Sequence, residues 1–252
     1  MPAYFTCYFT MTYADFVKNI SFRFIKPNTK QPIGTGTLKR TLPKLGLSLD
    51  VLNTVLPEKH AEMKERLKTV CKIPRMSTFA VGAMINRGVA EMKSGEAFVN
   101  VGVWNGFTFL SGVAHNPTKT CIGVDNFSQF GGPREAFLKR FNTLKTTNHN
   151  FFDMDYLEYF NRLHTSKIGF YIYDGDHKYD DQLKGLQVAE PYFSENCIIL
   201  VDDTNWPEPR QATYDFMQSS PNKYQVLLDI KTYRNGHITY HNGIILFQRV
   251  SR

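Results

Sequence analysis

No apolar run in the 252 residues approaches the ~20 needed to span a bilayer, so no membrane partner is expected. The four cysteines, Cys7, Cys71, Cys121 and Cys197, stand far apart and form no CxxC pair. That spacing argues against both a zinc site and a disulfide framework. Cys121 and Cys197 fall inside apolar, strand-like runs, as reduced thiols buried in a cytoplasmic protein do. The opening residues MPAYFTCYFTMTYADF lack the basic and then apolar regions of a secretory signal. There is no run of five basic residues, no low-complexity tract and no helix-turn-helix or RNA-binding motif. Charge is nevertheless lopsided. Residues 1–96 carry 15 Lys and Arg against 7 Asp and Glu, whereas residues 97–252 carry 15 against 16. A basic segment can meet nucleic acid, an anionic surface or an acidic substrate. Because the cations are scattered, a solvated basic face is the plainer account, and nucleic acid is not expected as a partner.

What the sequence does have is a regular alternation from Ala97 onward. The runs 97–103, 120–127, 149–155, 168–174 and 197–203 read as buried strands. Between them, 133–145, 156–163, 179–193 and 209–220 read as helices, the first with Pro133 at its start. The runs 224–233 and 242–250 then follow as two strands without a helix between them. Strands alternating with helices predict a doubly wound, Rossmann-like parallel α/β sheet. The closing strand pair adds one antiparallel strand. Residues 1–75 differ. The stretch 25–46 is rich in Pro, Gly, Thr and Lys and reads as loop, and 57–73 reads as an amphipathic helix. A further helix, 76–93, precedes the first strand. The expected organisation is an extension or cap over 1–75 and one α/β domain over 76–252.

In an open parallel sheet, ligands bind beyond the carboxyl ends of the strands, and the polar clusters here fall at such ends. The first strand runs into VGVWNGFT, where Gly102 and Gly106 flank a turn into a helix. Glycine lets backbone approach a ligand, and a helix start offers free N–H groups. The second strand ends at Asp125, placed to accept hydrogen bonds from ribose hydroxyls. The third ends at Asp155, the fourth at Asp174 and the fifth at Asp202 and Asp203. The glycine spacing is G-x-x-x-G rather than the dinucleotide G-x-G-x-x-G, which speaks against an NAD-type oxidoreductase.

The segments FVNVGVWNGFT, IGVDNF, FYIYDGDHKYDD and IILVDDT, with the closing strand pair, resemble class I S-adenosylmethionine-dependent methyltransferases. Within that superfamily the chain most resembles the macrocin O-methyltransferase and cephalosporin hydroxylase-like group. The order of motifs is also similar to catechol O-methyltransferase. The resemblance covers roughly residues 76–250. It implies a seven-strand sheet of order 3-2-1-4-5-7-6 with strand 7 antiparallel. It also implies S-adenosylmethionine, held by Asn100, Gly102, Trp104, Gly106, Thr108, Asp125, Asn126, Asp155, Tyr156 and Asp174. Thr108 would meet the methionine carboxylate, Asp125 the ribose, and Asp155 and Tyr156 the adenine. A divalent cation, usually Mg2+, is implied on Asp174, Asp202 and Asp203. Packed together without a cation, three carboxylates would raise one another's pKa. His177 or Asp176 would be the base that takes the proton from an acceptor hydroxyl. The chain departs from the family at Asn100, where an acid is common; an amide can accept a hydrogen bond but brings no charge.

The expected activity is methyl transfer to a hydroxyl of a small molecule, such as a sugar or natural product. Two alternatives stand beside the oxidoreductase: a non-catalytic member that binds cofactor or partner, and a nucleic-acid methylase. Phe127, Phe130 and Trp206 follow strand ends and are candidates to wall an acceptor pocket, with 128–133 as a lid. The extension offers a route to a homo-oligomer.

Overall fold

The computed structural model describes residues 10–42 and 46–251. Cys7, the first nine residues of the opening stretch and 43–45 of the expected loop lie outside them. Seven strands form one sheet, in the order β5-β4-β3-β6-β7-β9-β8. They are β3 (Glu96–Val101), β4 (Thr120–Asp125), β5 (His149–Asp153), β6 (Lys167–Tyr173), β7 (Phe193–Val201), β8 (Lys223–Ile230) and β9 (Ile244–Val250). Numbered from the first of them, the order is 3-2-1-4-5-7-6, and only the last strand in sequence is antiparallel to its neighbours. The sheet order, the mixed α/β class and the antiparallel strand all agree with the sequence-based expectation.

The pleat explains why the central strands read as unbroken apolar runs. In β3, Phe98 enters one hydrophobic cluster, while Ala97, Val99 and Val101 enter the other. In β6, Phe170 and Ile172 go to the first cluster and Ile168, Tyr171 and Tyr173 to the second. Each strand is buried on both faces, so apolar side chains fill nearly every position, Asn100 being the buried polar exception in β3. Helices α5 (Phe79–Glu91), α6 (Phe107–Val113) and α7 (Arg134–Leu144) supply the first face. Helices α8 (Tyr156–Arg162), α9 (Tyr179–Ala189) and α10 (Pro207–Ser219) supply the second.

The N-terminal residues pack into the first face. Helix α1 (Tyr13–Lys18) starts at Thr12, whose hydroxyl accepts from the Asp15 N–H. It sends Tyr13, Phe16 and Val17 into the same cluster as Phe79, Phe98 and Phe170. Arg87, fully buried on α5, is paired with Glu58 and Glu91 and lies over the Phe16 ring at 4.5 Å. A buried guanidinium is tolerable only when matched in this way.

Several boundaries differ from expectation. The helix expected over 57–73 is α4 (His60–Leu67), followed by a separate 3-10 turn at Val70–Lys72. The helix expected over 179–193 ends at Ala189, and β7 starts at Phe193 rather than Cys197. The segment read as loop contains a short helix, α2 (Thr35–Thr41). Near it are α3 (Leu49–Asn53) and a two-stranded sheet of β1 (Ser21–Phe22) and β2 (Thr54–Val55). Cys71, Cys121 and Cys197 are free thiols, the last two buried. Among the described residues no helix is long and apolar enough to cross a membrane.

Candidate active site

A cavity of about 410 Å³ opens at the carboxyl ends of β3, β4, β6 and β7. It lies where the strand order reverses, between β3 and β6, the usual ligand position in an open α/β sheet.

One end is built by the turn after β3. Gly102 has φ +77°, and a Cβ there would lie 1.8 Å from the Asp174 carbonyl oxygen. Only glycine lets the β3 and β6 ends meet so closely. Trp104 also adopts a left-handed backbone, at φ 43°. The turn is clamped by Asp125. One carboxylate oxygen accepts from the N–H groups of Val103 and Trp104, both at 2.8 Å, and the other from Phe127 N–H at 2.7 Å. Asp125 therefore stands where a ribose-binding acid is expected but also ties the β3 and β4 loops together. Gly106, φ +99°, is the N-cap of α6, and Thr108 lies in that helix's first turn on the cavity wall. Asn100 sits behind the turn, fully buried, donating to the Gly102 carbonyl at 2.9 Å. The cavity wall contains neither Asn100 nor Gly106.

The β5 end contributes Met154, Asp155 and Tyr156. Asp155 caps α8 through the N–H groups of Leu157 and Glu158. The Tyr156 ring meets Tyr173 edge-on at 5.4 Å. Asn126 also lies on the wall, and its side chain closes a local turn with Ser128 N–H. Phe127, Phe130 and Trp206 all line the cavity. The Trp104 indole N–H donates to the Phe130 carbonyl at 3.0 Å, holding the 128–133 segment against the turn.

The opposite end is acidic. His177, Asp202 and Asp203 each place a ligand-type atom within 4.8 Å of the others. His177 Nε2 is 2.8 Å from an Asp203 carboxylate oxygen, and the imidazole packs against Trp206 at 5.4 Å. The other Asp203 oxygen accepts from the Asn242 amide. Asp203 has φ 54°, a conformation that costs an aspartate little. Asp202 is raised well above the usual carboxylate range, first by burial and then by Asp174 and Asp203. Its Oδ1 is buried without a hydrogen-bond partner. Asp174 is raised in the same way, by burial and then by Asp203 and Asp125. For His177, burial lowers the pKa, but the Asp203 bond and the charges of Asp202, Asp203 and Asp176 outweigh it and leave it raised. Asp176 accepts from Lys178 N–H at 3.1 Å.

The expected metal set was Asp174, Asp202 and Asp203, whereas the close group contains His177 in place of Asp174. Asp174 closes β6 beneath the Gly102 turn, and its N–H bonds to the Val101 carbonyl at 2.9 Å. It acts on the cluster through its charge. Asp202 with an orphaned buried oxygen, beside a second carboxylate and an imidazole, is a donor set that suits a divalent cation.

Sequence reasoning passed over Arg75, Met76, Ser77 and Asn242, all on the cavity wall. The first three precede α5, and a helix that leads into a parallel strand begins beside that strand's carboxyl end. This topological signal was available. Arg75 is fixed there by Asp50, at 2.9 and 3.0 Å, and by the Phe107 ring.

Residues 99–204 match the family model described as a methyltransferase domain. No curated protein matches the chain. Among solved structures, the cofactor-bound Rv0187 from MTB aligns with a TM-score of 0.56 at 13% identity, over 88% of this chain and 100% of that one. The O-methyltransferase from Bacillus cereus, in complex with SAH, aligns with a TM-score of 0.51 at 12% identity, over 77% and 93%. The chain thus has the fold of these methyltransferases, and its segment 99–204 matches a methyltransferase-domain model.

Proposed function

We propose that the chain transfers a methyl group from S-adenosylmethionine to a hydroxyl of a small molecule, assisted by a divalent cation. One observation carries this reading. The Gly102 turn and the His177–Asp202–Asp203 cluster open into one cavity, so a cofactor on the turn and an acceptor at the cluster would be neighbours.

S-adenosylmethionine, when bound, supplies an electrophilic methyl group. Gly102 leaves space for it, and Thr108 with the first turn of α6 offers donors to its carboxylate. Asp125 holds the turn through three of its four lone-pair sites and keeps one, on the oxygen that accepts from Phe127 N–H, for a ribose hydroxyl. Asp155 and Tyr156 flank the adenine. Asp202 and Asp203 would hold the cation, with Asp174 nearby, and the cation would lower the acceptor's pKa. His177 would take the acceptor proton: Asp203 orients the imidazole through Nε2, and the acceptor hydroxyl would have to reach Nδ1, which is buried without a hydrogen-bond partner. Asp176 is engaged by Lys178 and is the weaker candidate. In-line geometry between methyl donor and hydroxyl would do much of the rest.

The test is transfer of labelled methyl from S-adenosylmethionine to a panel of phenols, sugars and polyketide alcohols, with and without EDTA. Labelled product that is lost with EDTA and in His177→Gln supports the reading. No labelled product from any acceptor, despite cofactor binding, favours the non-catalytic alternative.

A further inference from the structure

Between Asp15 and Asp50 the sequence has no acidic residue and seven basic ones: Lys18, Arg23, Lys26, Lys30, Lys39, Arg40 and Lys44. That equals the net charge of the whole chain, +7, so one segment carries the entire excess. Lys18, Arg23, Lys26, Lys30 and Lys39 are all exposed, with the Lys26 ammonium donating to the Phe22 carbonyl and that of Lys39 to the Gly236 carbonyl. None of them takes part in an ion pair among the described residues. The field extends further, because Arg23 depresses the pKa of Lys64, after burial, and of His60, after burial and Lys64.

The same segment also exposes apolar side chains. Phe24 is 74% exposed, Leu38 47% and Ile33 104%. These are not groups with a failed place in the core. Neighbouring Phe22 and Ile25 are buried, so the backbone has already chosen which side chains face out. Hydrogen bonds fix the segment to the loop after β8: Tyr233 N–H to Pro27 O at 2.8 Å, and His237 Nε2 with Thr29 O at 3.1 Å. That loop carries Asn242, which holds Asp203.

We propose that this segment, residues 18–39, docks the protein on an anionic phospholipid bilayer. Uniform positive charge matches the negative surface potential of acidic lipids. Phe24, Ile33 and Leu38 fit the headgroup–acyl boundary, where lysines reach out to phosphates. A nucleic-acid backbone would satisfy the charge but offers no apolar phase for Ile33 and Leu38. The proposal goes beyond methyl transfer and does not depend on it, and it departs from the expectation of no membrane partner, which rested on the lack of a membrane-spanning run.

The experiment is co-sedimentation of the full chain with phosphatidylcholine vesicles, with and without phosphatidylserine, and gel shift with a DNA and an RNA oligomer. The expected result is binding to phosphatidylserine vesicles alone, weakened by salt. Lys30→Glu should weaken it more than the roughly fivefold expected for loss of one charge, and Ile33→Ser should weaken it without changing the salt dependence. Both residues are exposed, and unchanged melting temperature and S-adenosylmethionine binding would show that the variants fold. Absence of sedimentation with phosphatidylserine overturns the proposal. So does oligonucleotide binding that competes with vesicles and is indifferent to Ile33→Ser.

Discussion

Replacing Gly102 by alanine tests the contact on which the cofactor end of the site depends. Gly131 provides the control, because both glycines have φ +77°. An alanine at either position carries the left-handed cost of roughly 1–2 kcal/mol and the same unfolded-state gain of about 0.4–1 kcal/mol. They differ in one respect. At Gly131 an added Cβ meets nothing within 4 Å, whereas at Gly102 it lies 1.8 Å from the Asp174 carbonyl oxygen. Backbone must move to relieve that contact, which adds about 1–3 kcal/mol by analogy with an overpacked core. In a domain of this size the difference lowers the melting temperature of Gly102→Ala by roughly 2–12 °C relative to Gly131→Ala. The same displacement moves Asp174 and the Trp104 backbone, so S-adenosylmethionine affinity falls in Gly102→Ala only. Thermal melting and a cofactor titration on both variants provide the assay. Equal melting temperatures with equal affinities would refute the claim that the β3 and β6 ends are held in contact by the absence of a side chain.

Asp125→Ala strips acceptors from three backbone N–H groups and should cost about 2–5 kcal/mol in denaturant unfolding; an acid that served ribose alone would leave stability unchanged. His177→Gln should reduce turnover by about 10²–10⁴-fold with cofactor affinity intact, as read by steady-state kinetics beside equilibrium binding. The raised pKa values of Asp174, Asp202 and His177 mean that the folded state binds more protons than the unfolded one. Their contribution to stability is therefore complete below the ordinary carboxylate range and is lost as pH rises through the raised values. Magnesium should raise the melting temperature more at pH 8 than at pH 5, and Asp202→Asn should remove that difference while stabilising the metal-free protein at pH 8. A magnesium effect that is the same at both pH values would contradict the assignment.

The central sheet was legible because its strands are buried on both faces. FVNV, CIGV, FYIY and CIILV leave few other readings, and their alternation with helical stretches gives a parallel α/β sheet, whereas the strand order came from the resemblance to class I methyltransferases. The start of β7 was not legible, since Phe193–Asn196 includes Ser194, Glu195 and Asn196, with Glu195 and Asn196 exposed. Helix α2 was missed because Gly34, Gly36 and flanking prolines make its residues look like loop. The signal for α1 was present in Thr12 and Asp15, a cap three residues apart. At the site, position was legible and partnership was not. Asp125 could be placed at a strand end, but nothing in sequence shows that its oxygens bond to backbone N–H groups. Nor does spacing reveal that His177 rather than Asp174 closes on Asp202 and Asp203, because that is set by how the loops after β6 and β7 fold toward each other.

Titration calorimetry of S-adenosylmethionine into the purified protein, with magnesium and then with EDTA, tests the central claim most directly. The account predicts saturable one-to-one binding, weakened in Gly102→Ala. Absence of binding under both conditions would contradict the assignment of the cavity to this cofactor.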